Sequence, residues 1–331
     1  MRKLLNDPYA IVDEMVDGLE VAFPTQIELT ASRRGVVSTA RAAGRRVGVV
    51  TGGGSGHEPA FFGYVGPGWA DGAALGNVFA SPSATPIVEV AELVDRGEGV
   101  VFVFGNYEGD VMNFEMAEEL LAERGIRAVH LATTDDVASA PPSESHTRRG
   151  VAGNGFVLKA AGARADEGAS LDEVRAAAAY ANERTRSIGV ALAPCTVPAA
   201  GRPTFELPEG TMDVGMGIHG EAGLSRRELG PADAVADELL DLLLGELQPQ
   251  REVRVLVNTL GATPVMEALV VLRRVAQRLG SSLERAHVGE YVTSLEMAGL
   301  SLTVVAMDDD LRRLLDAFGR ALLAPPLDAP W

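Results

Sequence analysis

The chain has 331 residues, a formal charge of −17 and 47% apolar residues, with one cysteine, Cys195. That length has room for two domains with a large combined core, and the acidic balance excludes a nucleic-acid surface, which needs clustered Lys and Arg. The lone cysteine excludes an internal disulfide framework; the N-terminal MRKLLNDPYAIVDEM turns acidic too early for a signal peptide, and no apolar run is long enough to cross a bilayer. A cytoplasmic α/β protein acting on a small neutral ligand, with no nucleic acid or membrane as partner, is the expectation.

Residues 7–20 predict a helix that starts at Asp7-Pro8 and places Ile11, Val12, Met15, Val16 and Leu19 at helical spacing. A buried strand is expected over 46–51, followed directly by TGGGSGH at 51–57. This run reads as a tight loop with almost no side chains, in which a ligand can approach the backbone N–H groups beside His57. It is not a nucleotide loop: the chain lacks G-x-x-x-x-G-K-[ST], and the following EPAFFGYVGPG is too rich in Pro and Gly to open as a helix. Helix 85–95, strand 99–104, helix 112–125 and strand 127–133 then alternate as in a parallel sheet wrapped by helices. Ligands collect at the carboxyl ends of such strands, where TGGGSGH and GNYEGD both lie.

Residues 135–155 are dense in turn formers and read as a surface loop leading into a helix, and an Ala-rich helix follows over 171–186. The pattern changes at SIGVALAPCTVPAAGRP, which sets a domain boundary near residue 190, giving α/β domains over 1–190 and 191–331. In the second, TMDVGMGIHGEAG reads as a strand ending at His219, 231–247 as an acidic helix and REVRVLVNTLGATP as another strand. A helix at 266–279, two strands within 284–307 and a last helix from Asp308 complete it.

Of five histidines, His130 lies inside a strand and His146 in a polar loop, where structural roles suffice; His287 fits either role. His57 and His219 differ because each ends a glycine-spaced segment, and flanking glycines give a ligand clearance to reach the ring. Asp110, in NYEGD, is either a carboxylate facing the same crevice or the N-cap of the helix expected from Met112. Asp135-Asp136 and Asp308-Asp309-Asp310 precede helices and read as caps, so no metal is assigned.

The ordered segments TGGGSGHEP, GYVGPG, GNVFASPS, NYEGDVMNF, DDVASA, RRGVAG, APCTVPAAG, MGIHGEAG, NTLGATP and YVTSLEMAGLSLT resemble the K subunit of dihydroxyacetone kinases over nearly the whole chain. The resemblance implies two α/β domains, the first with a mostly parallel sheet and the second with a mixed one, and a homodimer. It further implies that His219 adds to the ketone carbon of dihydroxyacetone as a hemiaminal. The same resemblance implies that His57 and Asp110 act as acid and base in unassigned order, and that Gly54, Ser55 and Gly56 bind the hydroxyls. No cofactor is expected on this chain. ATP or ADP with Mg²⁺ is expected on a separate L subunit, recharged in some systems from phosphoenolpyruvate through an M-type phosphotransferase protein. As the sequence stops at Trp331, L is expected as another protein.

The chain departs from that pattern at Gly105, where members acting on dihydroxyacetone commonly carry lysine, at Phe61-Phe62 after GHEP, and at Trp69-Ala70. Loss of the lysine implies a roomier pocket and brings in a four-carbon ketose such as erythrulose. A non-catalytic ketose sensor that activates a transcription factor and a carrier of another small ligand are the alternatives from other classes.

Overall fold

The computed structural model describes residues 3–40, 47–249 and 252–327, so the expected strand start at 46 and Arg251 of REVRVLVNTLGATP lie outside it. The first sheet is built from β1 (Ile27–Leu29), β2 (Gly35–Ser38), β3 (Gly48–Ser55), β4 (Gly72–Val78), β5 (Val100–Gly105) and β6 (Ala128–Thr133), in spatial order β1-β2-β4-β3-β5-β6. β3 runs parallel to β4 and β5, and β5 to β6, while β1 and β2 add antiparallel at the other edge. The second sheet contains β7 (Thr185–Ala193), β8 (Thr211–Val214), β9 (Ser225–Glu228), β10 (Val253–Thr259), β11 (Leu283–Gly289) and β12 (Ala298–Ala306), in order β11-β10-β12-β7-β8-β9. Only its β10–β11 pair is parallel, so the sheet is mixed as expected.

Helix α1 (Ile11–Ala22) buries Val16 and Leu19 against Ile27 and Val36 at the antiparallel edge. α2 (Ala84–Val94) and α3 (Glu108–Glu123) cover one face of the first sheet, where Phe104 and Phe114 stack with centroids 4.1 Å apart. α4 (Asn154–Asp166) and α5 (Leu171–Glu183) take the opposite face, and α6 (Ala232–Leu247) and α7 (Val265–Leu279) cover the second sheet. The closing helix α8 (Asp309–Asp316) is capped by Asp308, whose carboxylate accepts the N–H of Leu311. No helix among the described residues is long and apolar enough to cross a membrane.

α4 lacks an amphipathic stripe because it is buried along nearly its whole length between the two sheets. One apolar cluster joins Val49 and Val101 of the first sheet, Phe156 and Leu158 of α4, and Leu256 and Val305 of the second sheet. The chain end returns to the first half as well: the N–H groups of Arg320, Leu322 and Leu323 donate to the carbonyls of Pro67, Val65 and Gly63. The division expected at 190 falls inside β7, which already belongs to the second sheet, so the change of sheet precedes Thr185. The Pro-rich stretch used as the boundary signal is the loop after that strand.

Residues 135–155 are a second correction. The surface-loop expectation holds only for its middle: Asp135, Asp136 and Arg148 are buried. Asp135 accepts the N–H groups of Val151 and Gly153 at 2.9 and 2.8 Å and so anchors the entry to α4. Arg148 forms a two-pronged ion pair with Glu246 of α6 at 2.6 and 2.8 Å, tying the segment to the second half. The turn formers of 141–144, 146 and 147 are exposed as expected, while the flanks of the segment are held by internal hydrogen bonds.

Candidate active site

The glycines of TGGGSGH are not a loop. β3 continues through Gly52, Gly53 and Gly54 to Ser55, and the missing side chains let neighbouring groups close on the strand. A Cβ on Gly53 would lie 2.2 Å from the Phe61 ring, and one on Gly54 2.7 Å from the backbone nitrogen of Ala80. The turn comes at Gly56, in the left-handed region with φ +99°, and delivers His57 to the carboxyl end of the sheet.

His57 is buried and gripped from the second half of the chain. Its Nδ1 lies 2.7 Å from the Thr293 carbonyl oxygen, the N–H of Thr293 donates back to the His57 carbonyl, and Leu295 N–H donates to the Gly56 carbonyl. Phe79 stacks on the imidazole at 4.8 Å. The YVTSLEM segment is therefore the clamp that holds the GSGH turn.

His219 lies past β8, which ends at Val214, in a turn between Gly215 and Gly220, both at positive φ. The expectation of a strand running to His219 is corrected accordingly. Gly217 leaves room for two side-chain ends, since a Cβ would sit 2.1 Å from Glu221 Oε2 and 2.3 Å from Arg149 Nη1. Glu221 accepts the backbone N–H of His219 at 2.9 Å and lies 3.0 Å from its Nδ1. Arg149, paired with Asp136 and donating to the Gly215 carbonyl, stands 3.8 Å from Glu221 on the other side. Burial pulls the Glu221 carboxyl upward, but the His219 hydrogen bond, with the charges of His219 and Arg149, outweighs it and holds the group at about 2.

The two imidazoles meet, with Nε2 of His57 3.0 Å from Nε2 of His219 and the rings edge to face. The partners fix the protons. A carbonyl only accepts, so Nδ1 of His57 carries hydrogen, and Nδ1 of His219 carries hydrogen toward the ionised Glu221. Two neutral rings would then aim lone pairs at one another, and one further proton between the Nε2 atoms turns that clash into a hydrogen bond. Burial, with the nearby His219, pushes His57 down to about 3.

Asp110 occupies the first turn of α3, which starts at Glu108 and not near Met112; the N-cap is Tyr107, and the capping role considered for Asp110 is not the one it fills. Its Oδ1 is buried without a partner, and burial lifts the carboxyl to about 6 against the pull of Ser81 and His219. Gly54, His57, Phe61, Asp110 and His219 line one small cavity with Tyr107. Ser55 and Gly56 stand behind it: Ser55 Oγ donates to the Gly76 carbonyl at 2.8 Å, and Gly56 N–H donates to the Glu58 carboxylate at 3.0 Å. The hydroxyl hydrogen of Ser55 and the N–H of Gly56 are thus engaged within the chain, which leaves Ser55 Oγ as an acceptor.

The roomier pocket expected from Gly105 is also absent. A Cβ there would meet the Gly150 carbonyl at 3.0 Å and the Tyr107 ring at 3.1 Å, so the space is taken. His130 bonds Glu118 at 2.9 Å, away from the cavity, and His287 is buried against Phe156. Among the described residues no group of three or more His, Cys, Asp or Glu is placed to hold a metal ion. Sequence reasoning left Glu221, Arg149, Tyr107, Phe79 and Asn154 without roles. The available signal was a glutamate two residues after a glycine-flanked histidine.

Fold and site together define an α/β protein in which a histidine from each half meets the other beside a buried carboxyl. The chain belongs to the Dak1 domain family, whose model matches residues 17–322. It is 44% identical to a Listeria innocua protein named PTS-dependent dihydroxyacetone kinase 2, dihydroxyacetone-binding subunit DhaK, over 100% of this chain and 99% of that one. It is 45% identical to the L-erythrulose 1-kinase of Mycolicibacterium smegmatis, covering 96% of this chain but 57% of that protein. The crystal structure of the C. freundii dihydroxyacetone kinase superposes with a TM-score of 0.90 at 31% identity, covering 98% of this chain and 61% of that one. A dihydroxyacetone kinase operon co-activator superposes with a TM-score of 0.86 at 31% identity, over 93% and 97%.

Proposed function

We propose that this chain is the ketose-binding subunit of a two-component kinase. It holds dihydroxyacetone or a related short ketose as a hemiaminal on His219 and presents a terminal hydroxyl to a phosphoryl donor on a separate nucleotide-bearing subunit. The observation that carries the reading is the 3.0 Å contact between Nε2 of His57 and Nε2 of His219.

The shared proton moves onto His57, freeing the His219 Nε2 lone pair to attack the ketone carbon. As the C–N bond forms and the C=O π bond breaks, His57 gives that proton to the oxygen. The adduct ring keeps its Nδ1–H and one positive charge, which Glu221 balances at 3.0 Å. Proton and charge are both conserved, so His57 is the acid of adduct formation. Asp110, ionised above about 6, is left as the base that takes the proton of the terminal hydroxyl as it attacks phosphorus. Covalent capture anchors a ligand too small to bind tightly by contacts alone and selects ketoses over polyols lacking a carbonyl.

ATP or ADP with Mg²⁺ belongs, on this proposal, to the L-type partner, with an M-type phosphotransferase protein as the recharging component where the donor is phosphoenolpyruvate; a homodimer and a cytoplasmic location complete it. The co-activator likeness supports a second reading as a ketose sensor, but a sensor needs no base with an unpaired Oδ1 facing the ligand. Native mass spectrometry after soaking with dihydroxyacetone tests the adduct: one ketose mass is expected on the wild type and none on His219→Ala. An adduct that survives the substitution refutes the assignment. Sugar phosphate should form with Mg-ATP only when an L protein is added.

A further inference from the structure

Phe79, between β4 and α2, and Leu295, in the segment that clamps the GSGH turn, are bulky residues held in the left-handed region, at φ +56° and +50°. That region is disfavoured for large side chains, and a residue kept there despite the strain points to a local role. The two close on Gly56 from opposite halves of the chain: a Cβ on Gly56 would lie 3.0 Å from the Phe79 ring and 3.2 Å from the Leu295 side chain. Phe79 N–H donates to the Ser55 carbonyl at 3.0 Å, which ties its backbone to the same turn. The ring lies nearly parallel to His57, 12° apart, and stands across His219 at 75° with centroids 5.1 Å apart. His57 is 1% exposed whereas Phe79 is partly exposed, so on that face the phenyl ring is the layer between the imidazole and solvent.

We propose that Phe79 is a positioning residue: it covers the histidine pair, keeping both rings in register and out of water, so that the proton of adduct formation passes from His57 to the ketone oxygen and not to solvent. This rests on the hemiaminal reading and adds a residue to it. Excluding water from a reacting site prevents proton leakage. Burial is the largest cause that holds His57 down to about 3, and removing the ring would relieve it. The titratable groups that face His57 are His219 and Glu221 from the turn after β8, Asp110 and Tyr107 across the cavity, and Glu58 on its own turn. Glu296 of the clamp is turned to Lys3 and the Thr196 N–H. All of these stay when the ring is removed, so a change in how His57 titrates reads the loss of cover.

The test replaces Phe79 with glycine, which accepts φ +56° without strain and so removes the ring while sparing the backbone. Exchange of the His57 Cε1–H in deuterated water, followed by mass spectrometry of the peptides, reads access to the imidazole and its titration with no ketose present. In the wild type the rate should be slow and flat between about pH 8 and 5. In Phe79→Gly it should rise by about tenfold, and its midpoint should move from about 3 to about 5. Adduct formation with dihydroxyacetone, followed by native mass spectrometry, should slow by about tenfold or more in Phe79→Gly and recover in Phe79→Tyr, which restores the ring. A His57 that exchanges and titrates in Phe79→Gly as in the wild type overturns the proposal, and so does an unchanged adduct rate or a Phe79→Tyr as slow as Phe79→Gly. If Phe79→Gly fails to fold, Phe79→Asn, which also tolerates the left-handed region, decides in its place. Absence of any adduct on the wild type would overturn the hemiaminal reading, while the exchange experiment would still decide whether Phe79 shields His57.

Discussion

Replacing Asp110 with asparagine should make the protein more stable and inactive at once. The carboxyl is 9% exposed and Oδ1 has no partner, so burial raises its pKa from the ordinary 3.8 to about 6. Because the folded value lies above the unfolded one, the folded chain binds the proton more tightly. The stability contributed by this group is complete below 3.8 and is lost as pH rises through about 6. The gap corresponds to about 3 kcal/mol, the cost of holding an ionised carboxylate in the cavity. Asp110→Asn cannot ionise, so it should exceed the wild type by about 1–3 kcal/mol near pH 7.5 and by almost nothing near pH 4. Turnover with the L protein should fall by about a hundredfold or more. Urea unfolding of both proteins across that pH range measures the first effect, and coupled phosphorylation the second. A variant less stable than the wild type near pH 7.5, or a stability difference that does not change with pH, would refute the reasoning.

Gly54→Ala places a Cβ 2.7 Å from the Ala80 nitrogen and 3.0 Å from the Phe79 backbone, neither of which can swing aside. It should cost about 1–3 kcal/mol in urea unfolding, and an unchanged midpoint would contradict the close packing of β3. Glu221→Gln removes the counter-charge of the cationic adduct. With the Glu221 side chain 36% exposed, screening limits the loss to about 1 kcal/mol, or roughly fivefold weaker ketose capture in a mass-spectrometric titration. Unaltered capture would mean that Glu221 neither orients nor balances His219.

The sequence made the alternation of β5, α3 and β6 plain because GVVFVF is a buried apolar run and its neighbours carry helical spacing. It hid β4, whose GAALGNV consists largely of small residues and lacks the branched side chains that signal a strand. It also misled at β3, where consecutive glycines read as a loop although backbone pairing with β4 keeps them extended. His57, His219 and Asp110 were legible as candidates from their glycine-rich surroundings. Glu221 and Arg149 were not, because each acts through a neighbour that only the folded chain supplies: Glu221 through His219, and Arg149 through Glu221 with Asp136 behind it. The burial of Arg148 was equally hidden, since its partner Glu246 lies on a helix of the other sheet.

The pairing of His57 with His219 has a consequence for how damage to this protein would be noticed. One ring hangs from the first sheet and the other from a turn beside the second, yet their nitrogens stand 3.0 Å apart. The pair is thus a gauge of the alignment of the two sheets. A relative slip of about 1 Å would open the contact while leaving each sheet intact, and misplacements of that size cost about a hundredfold in rate. Substitutions deep in the core around α4, far from any ligand, should therefore silence the chemistry before they unfold the chain.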